Sequence, residues 1–208
     1  MESSGGKNVM KLQTDSQKIY IEGESITFKN IENILHRDFL IQEFLEQHDI
    51  LKNIYPHPVN TLRVVILRIN DEIHVLHVII KFGNKGAYVD NETPGGISSG
   101  INTLGMLNQF AVDKYYKKYY KHPYTGIPFE NTQIPKFSSL LDFAKNLHRH
   151  LLYFDMVSWD IAIDKNGDAV LIELNLIYQG ITFLQVHKGP LFGDFTEQVL
   201  EETLMCHN

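Results

Sequence analysis

The residues best suited to chemistry lie late in the chain, where Asp160 stands inside the apolar stretch 156–163, Glu173 inside the stretch 169–174 and Asn175 at its end. Both stretches read as strands, and Lys165-Asn166-Gly167 between them suits a tight turn, so the two form a hairpin. Glu173 and Asn175 are two residues apart and leave the same face of their strand, and the turn brings Asp160 alongside that face. Two carboxylates and an amide oxygen converging on one side make a hard-oxygen site for Mg²⁺, an ion that keeps waters and binds substrate phosphates. The other reading is a half-buried polar sheet face satisfied by hydrogen bonds, because buried carboxylates need partners. Spacing alone leaves both open.

Other candidates are weaker. Ser3-Ser4-Gly5-Gly6-Lys7 is either a phosphate cradle, whose glycines let backbone N–H groups turn toward an anion, or a frayed terminus. Arg63 opens a strand after a proline-rich stretch and can meet a phosphate with its planar fork, and Lys81 closes the partner strand; a surface ion pair is the plainer alternative for each. Among ten histidines, His74 and His77 are three apart on a strand and are expected on opposite faces, while His148 and His150 do not share a helix face. Neither pair suggests a zinc clamp. Tyr115 to Tyr120, rich in Tyr and Lys, can stack on and neutralise a nucleic acid, but on an acidic chain a snorkelling surface patch is favoured.

The elements that position these residues follow from composition and pattern. The chain has 208 residues, 43% apolar, with Lys+Arg 19 against Asp+Glu 25, a net charge of −6. That is enough for one ordinary domain or two small lobes, and it argues against disorder and against a broad nucleic-acid footprint. No apolar run is long enough to span a bilayer and the first residues are too polar for a signal peptide, so a cytoplasmic protein is expected. Cys206, the only cysteine, excludes an intrachain disulfide and a cysteine-rich metal site. A hairpin is expected over 9–23, an extended piece over 25–28, a helix over 29–36 and strand character again over 38–44. A lobe boundary is placed just before Tyr55, which precedes Pro56 and Pro58. Two strong strands, 61–70 and 72–82, meet at Asn70-Asp71, and the Gly-, Ser- and Asn-rich stretch 90–105 reads as a loop. Residues 138–152 form the clearest amphipathic helix.

Taken in order, these pieces resemble the ATP-grasp superfamily, and more closely its sugar-transfer-associated and teichuronic-acid-biosynthesis-type branch. Ser4-Gly5-Gly6-Lys7-Asn8-Val9 resembles the glycine-rich loop, Ile41-Gln42-Glu43-Phe44 the hinge that receives adenine, and Asn60-Thr61-Leu62-Arg63 the Asn-Thr-hydrophobic-Arg signature. Val89-Asp90-Asn91 with Gly95-Gly96 resembles the branch's Asp-Asn and Gly-Gly loop, and His122-Pro123-Tyr124-Thr125-Gly126 with Ile134-Pro135 its later loop. Trp159-Asp160-Ile161-Ala162 and Leu171-Ile172-Glu173-Leu174-Asn175 resemble the metal-binding hairpin, followed by Gln185 and Gly189-Pro190.

The resemblance implies an α+β ATP-grasp catalytic core, two lobes with antiparallel sheets: residues 1–52 the remainder of a first lobe incomplete at its N-terminus, residues 53–208 a second lobe with the metal and phosphate site. It implies an ATP- and Mg²⁺-dependent ligase of the carboxylate–amine type, working through an acyl phosphate in bacterial surface polysaccharide biosynthesis on a small-molecule substrate, possible sugar derivatives included. Carried over by position, Asp160, Glu173 and Asn175 hold Mg²⁺; Arg63 and Lys81 act on phosphates; Gln42 and Glu43 flank adenine; Ser4, Gly5, Gly6 and Lys7 close over phosphates; and Asp90, Asn91, Gly95 and Gly96 face the substrate. The Lys-Pro strand that ordinarily precedes the glycine loop has no counterpart, and Asn8 stands where glycine is frequent. This keeps a second expectation in view, a catalytically inactive nucleotide-binding or scaffold protein of the same fold. An unpaired edge at 9–13 favours association, so a homodimer is a further expectation.

Overall fold

A computed structural model describes residues 12–15, 18–21, 24–35, 41–57, 59–84, 95–177 and 179–205. Contacts divide the chain into two units, Met1–Phe44 and Leu45–Asn208, so the division falls ahead of the boundary expected before Tyr55. The smaller unit holds three short antiparallel strands in the order β1 (Leu12–Thr14), β2 (Ile19–Ile21), β3 (Glu24–Ile26), then helix α1 (Phe28–Leu35). Asp15 fixes the first turn: its carboxylate accepts from the Lys18 N–H at 2.9 Å and from the Tyr20 hydroxyl at 2.8 Å. Thr27 caps α1 by accepting from the Asn30 N–H at 3.3 Å. Residues 41–44, expected as strand, carry no regular structure. Ile41 and Phe44 are 52% and 67% exposed, and β-propensity without a packed face does not hold a strand.

The larger unit is built on one antiparallel sheet. Helix α2 (Asp49–Ile54) leads into β4 (Thr61–Ile69) and β5 (Glu72–Phe82), followed by β6 (Ile97–Ile101), β7 (Leu107–Val112) and β8 (Lys118–Tyr119). Helix α3 (Phe137–Arg149), the hairpin β9 (Met156–Ile163) and β10 (Ala169–Asn175), and helices α4 (Ile181–Lys188) and α5 (Thr196–Met205) complete it. The sheet order is β10-β9-β4-β5-β6-β7-β8. Asn70 and Asp71 take φ of 51° and 62°, the left-handed pair that a two-residue hairpin turn requires. None of the described helices is long and apolar enough to cross a membrane.

Strand alternation sorts the side chains into two layers. Leu62, Val64, Ile66, Ile80, Phe82, Trp159 and Ile161 face α2 and α3 in the main core, with Leu51, Ile54, Leu140 and Ala144 against them. On the other face Val65, Leu67, Ile69 and Ile79 pack with Leu184 of α4 and Leu191, and Arg63, Lys81 and Asp160 share that face. Residues 97–101, expected as part of a loop, are a wholly buried strand. The small residues Ser98-Ser99-Gly100 that read as loop let α4 press against the sheet: a Cβ on Gly100 would lie 2.8 Å from the His187 Cβ. His74 and His77, expected on opposite faces, share one, because a bulge at β4 Val65/Ile66 leaves Leu76 as an extra residue in β5.

His148 of α3 is buried, with its ring edge-on to Trp159 at 6.3 Å, and neither of its nitrogens nor Trp159 Nε1 has a partner among the described residues. Burial, reinforced by the Arg68 charge, pushes its pKa from 6.5 down to about 4. A histidine held neutral in the fold stabilises it fully above pH 6.5, and that contribution is lost as pH falls from there to about 4, at most roughly 3 kcal/mol. We therefore predict that urea unfolding followed across this window shows a shallower pH slope in His148→Leu than in the parent chain; equal slopes would remove His148 as the acid-sensitive group.

Candidate functional site

Asp160 sits in the middle of β9, 1% exposed, opposite Arg63 of β4 on one side and Glu173 of β10 on the other. Arg63 grips it with both arms of its fork: Nε donates to Oδ1 at 2.8 Å and Nη2 to Oδ2 at 2.7 Å. Lys81, reaching from β5, donates to Oδ2 at 2.9 Å. Asn175 Nδ2 donates to the same oxygen at 3.4 Å, and Glu173 stands opposite Asp160 in the strand pairing. The expected convergence of Asp160, Glu173 and Asn175 is present, and Arg63 and Lys81 join it.

A bulge in β10 decides this. Leu171 pairs with Ile161, but Glu173 rather than Ile172 pairs with Asp160. In regular pairing Ile172 would oppose Asp160 and Glu173 would turn toward the face of Trp159; the extra residue brings the second carboxylate onto the charged face.

The electrostatics follow from this crowding. Burial is the largest influence on Asp160 and would raise its pKa, yet the Arg63 hydrogen bonds and the Lys81 and Arg63 charges together bring it down to about 2. Glu173 moves the other way, raised first by partial desolvation and then by its hydrogen bond to, and repulsion from, Asp160. A further positive charge beside Arg63 and Lys81 would relieve the repulsion. Among the described residues no group of three or more His, Cys, Asp and Glu gathers closely enough to hold a metal. A Mg²⁺ ion here would have the two carboxylates and, with its amide turned, Asn175 to rest on, a sparse set that suits an ion retaining its waters.

Several further residues support the site. Ser158, two residues before Asp160 and on its face, donates to Gln179 Oε1, while Gln179 Nε2 donates to the Asn175 carbonyl at 3.0 Å. This clasp holds the turn after β10 against β9. Gly180 follows it with φ of 71°, and a Cβ there would stand 3.6 Å from Arg63 Nη1. Beyond Lys81, Ser98 of β6 meets His187 Nε2 of α4 at 3.0 Å. Burial, then the neighbouring His77, brings His187 down to about 4. Ser158 alone was accessible from the sequence, as a polar residue at period two from Asp160.

Gly95, with φ of 97°, and Gly96 lead into β6 next to Lys81, which pairs with Ser98. Gln42 and Glu43 lie exposed in the irregular end of the smaller unit. Ser4, Gly5, Gly6, Lys7, Asp90 and Asn91 lie outside the described residues.

The model of the sugar-transfer associated ATP-grasp family matches residues 1–199. The chain belongs to that family. Its helices and antiparallel sheets are the α+β architecture of an ATP-grasp protein, and membership makes it a nucleotide-binding, ligase-like chain of sugar-transfer context. No curated protein and no solved structure matches it. Removing Asp160 from this ATP-grasp chain takes away the buried carboxylate to which both Arg63 and Lys81 donate. We predict that Asp160→Ala lowers unfolding free energy at neutral pH by about 3–5 kcal/mol, measured by chemical denaturation. A loss under about 1 kcal/mol would mean that solvent screens the cluster.

Proposed function

We propose that this ATP-grasp chain uses ATP with Mg²⁺ to activate a carboxylate for ligation to an amine or another nucleophile, by acyl-phosphate chemistry, on a sugar derivative destined for bacterial surface polysaccharide and within the cytoplasm. The observation that carries the reading is the convergence of two cations, two carboxylates and an amide on one sheet face. Phosphoryl transfer asks chiefly for positioning and charge neutralisation. Arg63 and Lys81 are the groups that neutralise phosphate oxygens, with Asp160 holding both side chains extended in advance. Asp160, Glu173 and Asn175 hold Mg²⁺, which when bound supplies Lewis-acid stabilisation of the phosphoryl oxygens. Gln42 and Glu43 flank the adenine, Ser4, Gly5, Gly6 and Lys7 close over the phosphates, and Asp90, Asn91, Gly95 and Gly96 receive the sugar. A non-catalytic nucleotide-binding scaffold is the second reading. It is favoured by the completeness with which Arg63 and Lys81 already satisfy Asp160.

Calorimetry with ATP, with and without Mg²⁺, tests the proposal. Binding is expected to require Mg²⁺, and Arg63→Ala to weaken it by roughly 2–5 kcal/mol, the loss typical of a desolvated charge pair. Glu173→Gln removes a metal ligand and also the repulsion with Asp160, so it is expected to abolish the Mg²⁺ requirement or the binding without lowering the melting temperature. Unchanged Mg²⁺-dependent binding in Glu173→Gln would end the metal assignment. Phosphate release stimulated by an amino sugar or a uronic acid separates the ligase from the scaffold.

A further inference from the structure

At the edge of the sheet opposite β10, the segment Lys114–Lys121 carries four lysines and four tyrosines in eight residues, on a chain whose net charge is −6. Tyr115 and Tyr120 are 77% and 64% exposed, and Tyr116 and all four lysines are exposed as well. The display is built into the backbone. The Asp113 carboxylate accepts from the N–H groups of Tyr115 at 2.9 Å and Lys117 at 3.1 Å and from the Tyr119 hydroxyl at 3.0 Å, which turns the local negative charge inward. Tyr116 is held at φ of 62°, a left-handed conformation that a bulky residue rarely adopts. The same turn leaves Lys114 and Tyr115 at the surface and sets the Tyr116 ring 5.9 Å from that of Phe183.

Charge and ring are presented together: Lys114 Nζ lies 5.1 Å from the Tyr115 ring centroid and Lys118 Nζ 4.4 Å from that of Phe110. Guarding the edge strand β8 against association accounts for lysines, but not for the exposed tyrosines beside them, of which Tyr116 and Tyr120 each lean one side on the Phe183 and Phe110 rings, at 5.9 and 6.4 Å. Every cation here is lysine, a point charge without the guanidinium fork that reads an individual phosphate. Tyrosine prefers the boundary between water and lipid headgroups, and lysines add attraction to an anionic surface. A single-stranded nucleic acid would use the same rings and charges, yet specific phosphate recognition favours arginine.

We propose that this Lys–Tyr edge is a docking surface for an anionic lipid bilayer. The test is flotation of the full chain with vesicles of phosphatidylcholine alone and of phosphatidylcholine mixed with phosphatidylglycerol, at low and high salt. The chain is expected to float with the anionic vesicles only, and less at high salt. Lys114→Ser/Lys121→Ser, which leaves β8 untouched, is expected to weaken partitioning roughly thirtyfold, about fivefold per lysine, and Lys114→Arg/Lys121→Arg to retain it. Tyr115→Ser/Tyr120→Ser is expected to weaken it while the salt dependence persists. No flotation with either vesicle, equal flotation with both, or equally tight binding of single-stranded RNA would overturn the proposal. So would serine variants that float as the parent does and differ only by self-associating, since the lysines would then merely guard the edge.

Discussion

An ionised carboxylate with almost no water around it, in the middle of a seven-stranded sheet, has to be met by opposite charge, and Asp160 imposes that requirement on the larger unit. Its partners come from β4 and β5, separate in sequence from β9, so the pairing of three strands has to be in register for Arg63 and Lys81 to reach it. Taking such charges from water is expensive, and well-packed apolar residues are often at least as stabilising as a buried ion cluster. Its retention at the centre of the sheet therefore speaks for a role in binding charge rather than for stability alone.

The division of the sheet into two faces makes such a site affordable. One face buries the apolar side chains of β4, β5 and β9 against α2 and α3 and supplies the main core. The other is covered by α4 and the residues after it, which pack on Val65, Leu67, Ile69 and Ile79. Close seating of α4 depends on the side-chain-free Gly100. Beside the site the Ser158–Gln179–Asn175 clasp holds the turn that carries Gly180 past Arg63.

Much of this was legible from residue pattern. Alternating apolar strands around Asn70-Asp71 and around Lys165-Asn166-Gly167 announced both hairpins, and the period-two relation of Glu173 to Asn175 put them on one face. What decided which face was a bulge at Ile172, and a one-residue insertion leaves no signature in apolar periodicity. The bulge at Leu76 misdirected the reading of His74 and His77 for the same reason. Ser98-Ser99-Gly100 read as loop because small residues usually mark one; here they are small because a helix lies on them. Arg63 and Lys81 were singled out as phosphate ligands, and their attachment to Asp160 is a long-range fact that spacing along the chain does not contain.

As proposed above, the Asp160 cluster is a phosphate and metal site arranged in advance and not merely a structural ion cluster. A crystal structure of the full chain with Mg²⁺ and a non-hydrolysable ATP analogue tests it most directly. Phosphate oxygens are expected within hydrogen-bond distance of Arg63 and Lys81, and Mg²⁺ on Asp160, Glu173 and Asn175. Nucleotide phosphates bound elsewhere, with the Asp160 cluster undisturbed, would contradict it.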